Sequence, residues 1–148
     1  MKVSIIGSSG FIGNNLFNSL TKNNYQVSSI SLRNENIEKI PQKKIESIFS
    51  SDVIINCAAS LFPKTIEDEN FNKFLIKKLT DINFAYNKKI LHLSSINVLV
   101  KDRLDSYTES KRFAENLVKN SKNLIILRLP LVIEKIDNHY VKSGNLKK

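Results

Sequence analysis

Short apolar runs alternate along the chain with longer stretches in which apolar residues recur at helical spacing. Val3–Ile6 stops at Gly7 and reads as a buried strand. Phe11, Ile12, Leu16, Phe17 and Leu20 then mark one face of a helix. Val27–Leu32 is a second strand. Residues 33–51 are polar with scattered isoleucines and are broken by Pro41, so a short third strand near Ile37–Ile40 and a helix near Lys43–Phe49 are predicted there. Val53–Cys57 is a strongly apolar strand. Residues 66–86 read as one long helix, with Phe71, Phe74, Leu75, Leu79, Ile82 and Phe84 on or near one face. Ile90–Leu93 is a strand. Tyr107–Asn120 is a helix with Asp105 or Ser106 as its N-cap. Leu124–Leu129 is a last strand, ended by Pro130, and from Glu134 the chain reads as a polar tail.

Apolar strands separated by helices predict an α/β fold, a doubly wound parallel sheet with helices on both faces. The length, 148 residues, fits one domain. Residues 1–133 form that domain and 134–148 the tail. With 41% hydrophobic and 25% charged residues the chain is globular rather than disordered. The net charge of +9 comes almost wholly from lysines scattered along polar faces. No basic cluster interleaved with aromatics is present, so nucleic acid is not the expected partner. One cysteine, Cys57, excludes an intrachain disulfide and fits a reducing compartment. No run approaches the length of a membrane span, and a soluble cytoplasmic protein is expected. His92, His139 and Cys57 show no metal-ligand spacing, and no metal site is expected. Cys57 and His92 read as packed strand residues.

Three of the four glycines fall in Gly7-Ser8-Ser9-Gly10-Phe11-Ile12-Gly13, directly between the first strand and the first helix. A tight strand-to-helix turn needs positive φ, and a pyrophosphate needs backbone it can approach closely; side chains would block both. An ordinary βα turn is the plainer alternative. Against it stands the use of Asn and Ser for turns elsewhere, which leaves glycine concentrated where a dinucleotide would sit.

The window Val3–Leu16 closely resembles the opening of the extended short-chain dehydrogenase/reductases, the family of nucleotide-sugar epimerases, dehydratases and reductases. The resemblance continues in order. Asp52–Ala59 is similar to the family's fourth strand and the small residues after it. Leu91–Val98 resembles the fifth strand, with Ser95 matching the catalytic Ser/Thr. Tyr107-Thr108-Glu109-Ser110-Lys111 resembles the Tyr-x-x-x-Lys dyad, and Leu127–Pro130 the sixth strand and its nicotinamide loop. The resemblance implies a Rossmann fold that binds NADP or NAD through Gly7, Ser9, Gly10, Phe11, Ile12, Gly13, Arg33, Asn56, Ala58, Ala59, Ser94, Tyr107, Lys111 and Pro130. It implies hydride transfer at a sugar carbon. Tyr107 would be the acid/base, Lys111 on the same helix face would lower its pKa, and Ser95 would hydrogen-bond the reacting oxygen. Arg33, with no acid at 31–33 and Glu35 a little late, tilts the cofactor toward NADP, unless Arg33 is a plain surface charge. Asn70 or Asn72 would support the active-site lysine through water, or cap a helix.

Two departures from the family bear on function. Only 11 residues separate Ser95 from Tyr107, a short loop that removes part of the usual substrate wall. Family members run to roughly double this length, and the usual substrate domain has no counterpart here. The expected protein is therefore an NAD(P)-binding relative of the nucleotide-sugar enzymes. The alternative is a non-catalytic cofactor-binding protein, or one half of a split enzyme completed by a partner chain. The family also implies a homodimer through the helices at 66–86 and 107–120.

Overall fold

The structure, a computed structural model, describes residues 1–32, 35–136 and 139–142, and the side chains through residue 132. The elements follow in the order β1 (Lys2–Ile6), α1 (Phe11–Lys22), β2 (Gln26–Ile30), α2 (Gln42–Phe49), β3 (Val53–Asn56), α3 (Ile66–Tyr86), β4 (Lys89–Ser95), α4 (Ser106–Val118), β5 (Leu124–Leu129), β6 (Ile133–Ile136) and β7 (His139–Lys142). Single 3₁₀ turns occupy Ile37–Lys39 and Ile96–Leu99.

Five strands form one parallel sheet in the order β2-β1-β3-β4-β5. From β1 the chain steps one way to β2, then crosses back past β1 to β3 and continues outward. Right-handed crossovers put α1 on one face and α2, α3 and α4 on the other. The larger core lies under the three helices, where Ile6, Ile30, Ile54 and Ile90 of the sheet meet Ile48 and Phe49, Leu75, Ile76 and Leu79, and Ala114 and Val118. The smaller core joins Val3, Ile5 and Ile55 to Leu16, Phe17 and Leu20 of α1. The reversal leaves a crevice between the carboxyl ends of β1 and β3, the usual ligand position in such a sheet.

Local sequence explains the element ends. Thr65 caps α3 by accepting the Asp68 N–H, and Glu67, Asp68 and Glu69 complement the positive end of the helix dipole. Asn87 closes α3 in the left-handed conformation, φ 53°. Asn24 and Asn123 have positive φ too, so asparagine makes turns that glycine makes in other chains. Asp105, rather than Ser106, caps α4 through the Thr108 N–H.

Two expectations are corrected. Ile37–Ile40 does not form a strand: Asn36 accepts the Glu38 N–H and starts a 3₁₀ turn, Pro41 opens α2, and Ile40 drops into the helix-side core. β2 is therefore the sheet edge. The stretch read as a polar tail contains the antiparallel pair β6–β7. Among the described residues no helix is long and apolar enough to cross a membrane.

Candidate functional site

The crevice opens into a cavity of about 530 Å3. Its walls are Gly7, Ser9 and Gly10 after β1, Ser31, Leu32 and Glu35 after β2, Cys57–Ser60 after β3, and Glu67, Asp68 and Phe71 from α3. Each of the three glycines is explained differently. Gly7 has φ 84°, and a Cβ there would come within 2.7 Å of the Ala58 nitrogen. A Cβ at Gly13 would stand 2.3 Å from the Gly7 carbonyl oxygen. Gly7 and Gly13 thus let the loop fold onto β3 and onto itself. Gly10 has an ordinary extended backbone, φ −81° and ψ 168°, and a Cβ there would meet only one atom, 3.3 Å away. The fold asks little of Gly10, and it faces the cavity at the N-terminus of α1, where no side chain caps the helix.

Hydrogen bonds fix the opposite wall. Asn56, fully buried, accepts the Ala58 N–H through Oδ1 and donates through Nδ2 to His92 Nδ1. His92 is therefore the Nε2–H tautomer, and burial first, then the Lys111 charge, holds its pKa well below the usual histidine value. Asn72 of α3 grips Ser60 twice, accepting its N–H and donating to its carbonyl, both at 2.8 Å. Asn72 is thus a clamp on the cavity wall, while Asn70 is exposed. Cys57 lies just past β3 and lines the cavity, and burial pushes its thiol up to about 12.

Lys111 is buried beneath α4, its Nζ donating to the Leu93 carbonyl at 3.1 Å and lying 5.9 Å from the Tyr107 ring centre. Desolvation lowers its pKa to about 8, against the pull of Glu115 and Cys57. Burial, and then Asp105, raise the pKa of Tyr107. Ser95 Oγ accepts the Asn97 N–H and so caps the short turn that follows. Ser94 Oγ and His92 Nε2 are buried without a hydrogen-bond partner. Among the described residues no hydrogen bond joins Ser95, Tyr107 and Lys111. The short Ser95–Tyr107 loop is tied down by Arg112, which donates to the carbonyls of Val98 and Val100.

Of the residues expected at a cofactor, Gly7, Ser9, Gly10, Ala58 and Ala59 line the cavity. Asn56 stands behind it, Gly13 supports the loop, and Phe11 and Ile12 open α1. Ser94 and Lys111 lie buried at the end of β4 and under α4, and Pro130 follows β5. Arg33 lies outside the described residues. The sequence pattern missed Ser60, Glu67, Asp68 and Phe71, because side chains that converge from separate loops carry no local signal.

No family model matches the chain, and no curated protein matches it in sequence. Solved structures do. A dTDP-4-dehydrorhamnose reductase from Bacillus anthracis in complex with NADP matches with a TM-score of 0.72 at 19% identity, over 93% of this chain and 56% of that one. The shared fold is Rossmann-like, and short-chain dehydrogenase/reductases are among the solved structures that have it. A superfamily protein of that name from Agrobacterium tumefaciens with bound NAD gives 0.69 at 18%, over 86% and 48%. UDP-glucose 4-epimerase from Thermotoga maritima with UDP-glucose gives 0.65 at 16%, over 86% and 55%. The chain thus spans about half the length of the solved structures that share its fold.

Proposed function

We propose that the cavity binds a nicotinamide dinucleotide, NADP(H) or NAD(H), with its pyrophosphate against Gly7–Gly13. One observation carries this reading. The φ of Gly10 does not require glycine, a Cβ there would press on a single backbone atom, the Gly7 carbonyl oxygen at 3.3 Å, and the space so left belongs to the cavity at a helix N-terminus. The two fold neighbours solved with NADP and with NAD support it. Thermal unfolding with NADH or NADPH tests it: binding stabilises by about 2.7 kcal/mol at a roughly hundredfold excess over Kd, and Gly10→Val should abolish the shift. No shift with either nucleotide in the wild type would defeat the reading.

The reaction proposed is of the nucleotide-sugar epimerase, dehydratase or reductase kind. A bound nicotinamide supplies or accepts the hydride. Tyr107 would donate the proton to a carbonyl oxygen, with burial and Asp105 making it a weaker acid than a free tyrosine. Lys111 would bind the nicotinamide ribose and Ser95 the reacting oxygen. Because the chain covers about half of its fold neighbours, the sugar substrate and any partner chain that completes the site belong to the proposal, as does a cytoplasmic setting. A homodimer through α3 and α4 is proposed from Phe74 and Phe113, which pack edge to face at 5.6 Å while each stays two-fifths exposed.

Binding without turnover is the second reading, favoured by a cavity whose lining stops short of Ser95, Tyr107 and Lys111. Hydride transfer to 4-keto nucleotide sugars, followed by NAD(P)H absorbance in wild type and Tyr107→Phe, separates the two. Turnover that Tyr107→Phe destroys selects the enzyme; its absence in a chain that binds nucleotide selects the binder.

A further inference from the structure

We propose that His92 is a positioning residue for the dinucleotide: through Asn56 it holds Ala58 against the glycine loop. The inference rests on the dinucleotide reading above and deepens it, since His92 is buried behind the cavity and is not among its walls.

Parallel pairing sets Asn56 of β3 beside His92 of β4, and both side chains are buried. The hydrogen bonds that follow have only one possible direction. The Ala58 N–H can only donate, so the Asn56 atom 3.1 Å from it is Oδ1. The Asn56 amide nitrogen then faces His92 Nδ1 at 3.1 Å and can only donate, so Nδ1 must accept. Turning the amide over would set donor against donor at Ala58 and acceptor against acceptor at His92, and both bonds would be lost. Ala58 is where this bears on the ligand. A Cβ on Gly7 would come within 2.7 Å of the Ala58 nitrogen, and Gly7, Gly10, Ala58 and Ala59 wall the same cavity. The orientation of one buried amide thus fixes how the segment after β3 meets the glycine loop.

An apolar side chain would fill this position of β4 at less cost, as Ile90 does two residues earlier on the same face. A buried imidazole, with no described partner for Nε2, is explained by the acceptor that Nδ1 supplies. The groups around it keep Nδ1 free of a proton. Burial, and then Lys111 of α4, lower the His92 pKa. Cys57, just past β3, has its thiol pushed up to about 12 and stays uncharged. Glu115 of α4 is paired with Arg128 of β5. The residues that α3 buries, Asn72, Leu75, Ile76, Leu79 and Asn83, carry no titrating group.

Nitrogen-15 NMR of the histidine rings and titration calorimetry with NADH and NADPH, both on the whole 148-residue chain, test the inference. His92 should read as the Nε2–H tautomer at neutral pH, and a proton on Nδ1 overturns the inference whether or not a nucleotide binds. His92→Asn keeps an acceptor near the place of Nδ1, and His92→Leu keeps the bulk without it. His92→Leu should weaken nucleotide binding about tenfold, while His92→Asn stays within about threefold of the wild type. In an Asn56→Ala background, where the relay is already cut, His92→Leu should change the affinity by less than about twofold. Wild-type affinity in His92→Leu overturns the inference. So does equal weakening by His92→Asn and His92→Leu, which would make His92 a packing residue only. If neither nucleotide binds the wild type although Nδ1 accepts from Asn56, the relay stands and the reading of the glycine loop is what has failed.

Discussion

Gly13→Ala and Gly10→Ala should separate a glycine that the fold requires from one that a ligand requires. At position 13 the new methyl would lie 2.3 Å from the Gly7 oxygen and 2.8 Å from both the Gly7 carbonyl carbon and Ser8 Cα. All three are backbone atoms, so no side chain can rotate away. Overpacking costs about 1–3 kcal/mol, and with fully buried Ile6 just before the loop the upper end applies. Alanine's better helix propensity offsets about 1 kcal/mol of it. The net loss is about 2 kcal/mol, which for a chain of this size lowers Tm by about 4–8 °C. At position 10 the backbone already suits alanine and the one close atom is 3.3 Å away. Loss of a glycine N-cap, roughly 0.5–1 kcal/mol, is nearly cancelled by the stiffer unfolded chain, about 0.4–1 kcal/mol. Thermal unfolding by circular dichroism without nucleotide should therefore show Gly10→Ala within a degree or two of wild type and Gly13→Ala clearly lower. Equal destabilisation by the two would mean that Gly10 serves the fold. The argument that its missing side chain makes room for a ligand would then collapse.

Lys111 gives a pH test. Burial lowers its folded pKa to about 8 from 10.5, so between those values the unfolded chain holds a proton that the folded chain has released. Stability should rise with pH across that window, relieving a penalty of roughly 3 kcal/mol that is fully present below it. Lys111→Met should flatten the rise in denaturant titrations, and an unchanged pH slope would refute the burial argument. Asn72→Ala leaves the Ser60 N–H and carbonyl without their partner and should cost about 1–3 kcal/mol; it should also weaken nucleotide binding, whereas an affinity equal to that of wild type would show that the clamp does not shape the cavity. Phe113→Glu puts a charge beside Phe74 on the exposed face of α3 and α4, and should turn a dimer into a monomer by light scattering. A wild-type chain already monomeric at high concentration would remove the dimer.

The alternation of apolar runs with helical spacing was enough to place all five sheet strands to within two residues and α3 at both ends, because strand burial and helix capping are properties of neighbours in sequence. The glycine window was legible for the same reason: the turn from β1 into α1 is local, and its residue types are dictated by φ and by close approach. The fate of residues 31–41 was not. Whether Ile37–Ile40 becomes an edge strand depends on what β2 and α3 offer it, and the 3₁₀ turn wins with Ile40 in the core and Lys78 donating to the Glu38 carbonyl. The same holds for the chemistry. Tyr107 and Lys111 lie one helical turn apart in any helix, which the spacing alone guarantees. That Lys111 turns to Leu93 and is stripped of water, while Tyr107 is raised by burial and Asp105, follows from how α4 packs on β4. Glu35 lines the cavity while paired with Lys44 of α2, and Asn72 meets Ser60 across 12 residues of chain. Such pairings join segments that are separate in sequence. Only packing decides them, since no local propensity records which loop will lie beside which helix.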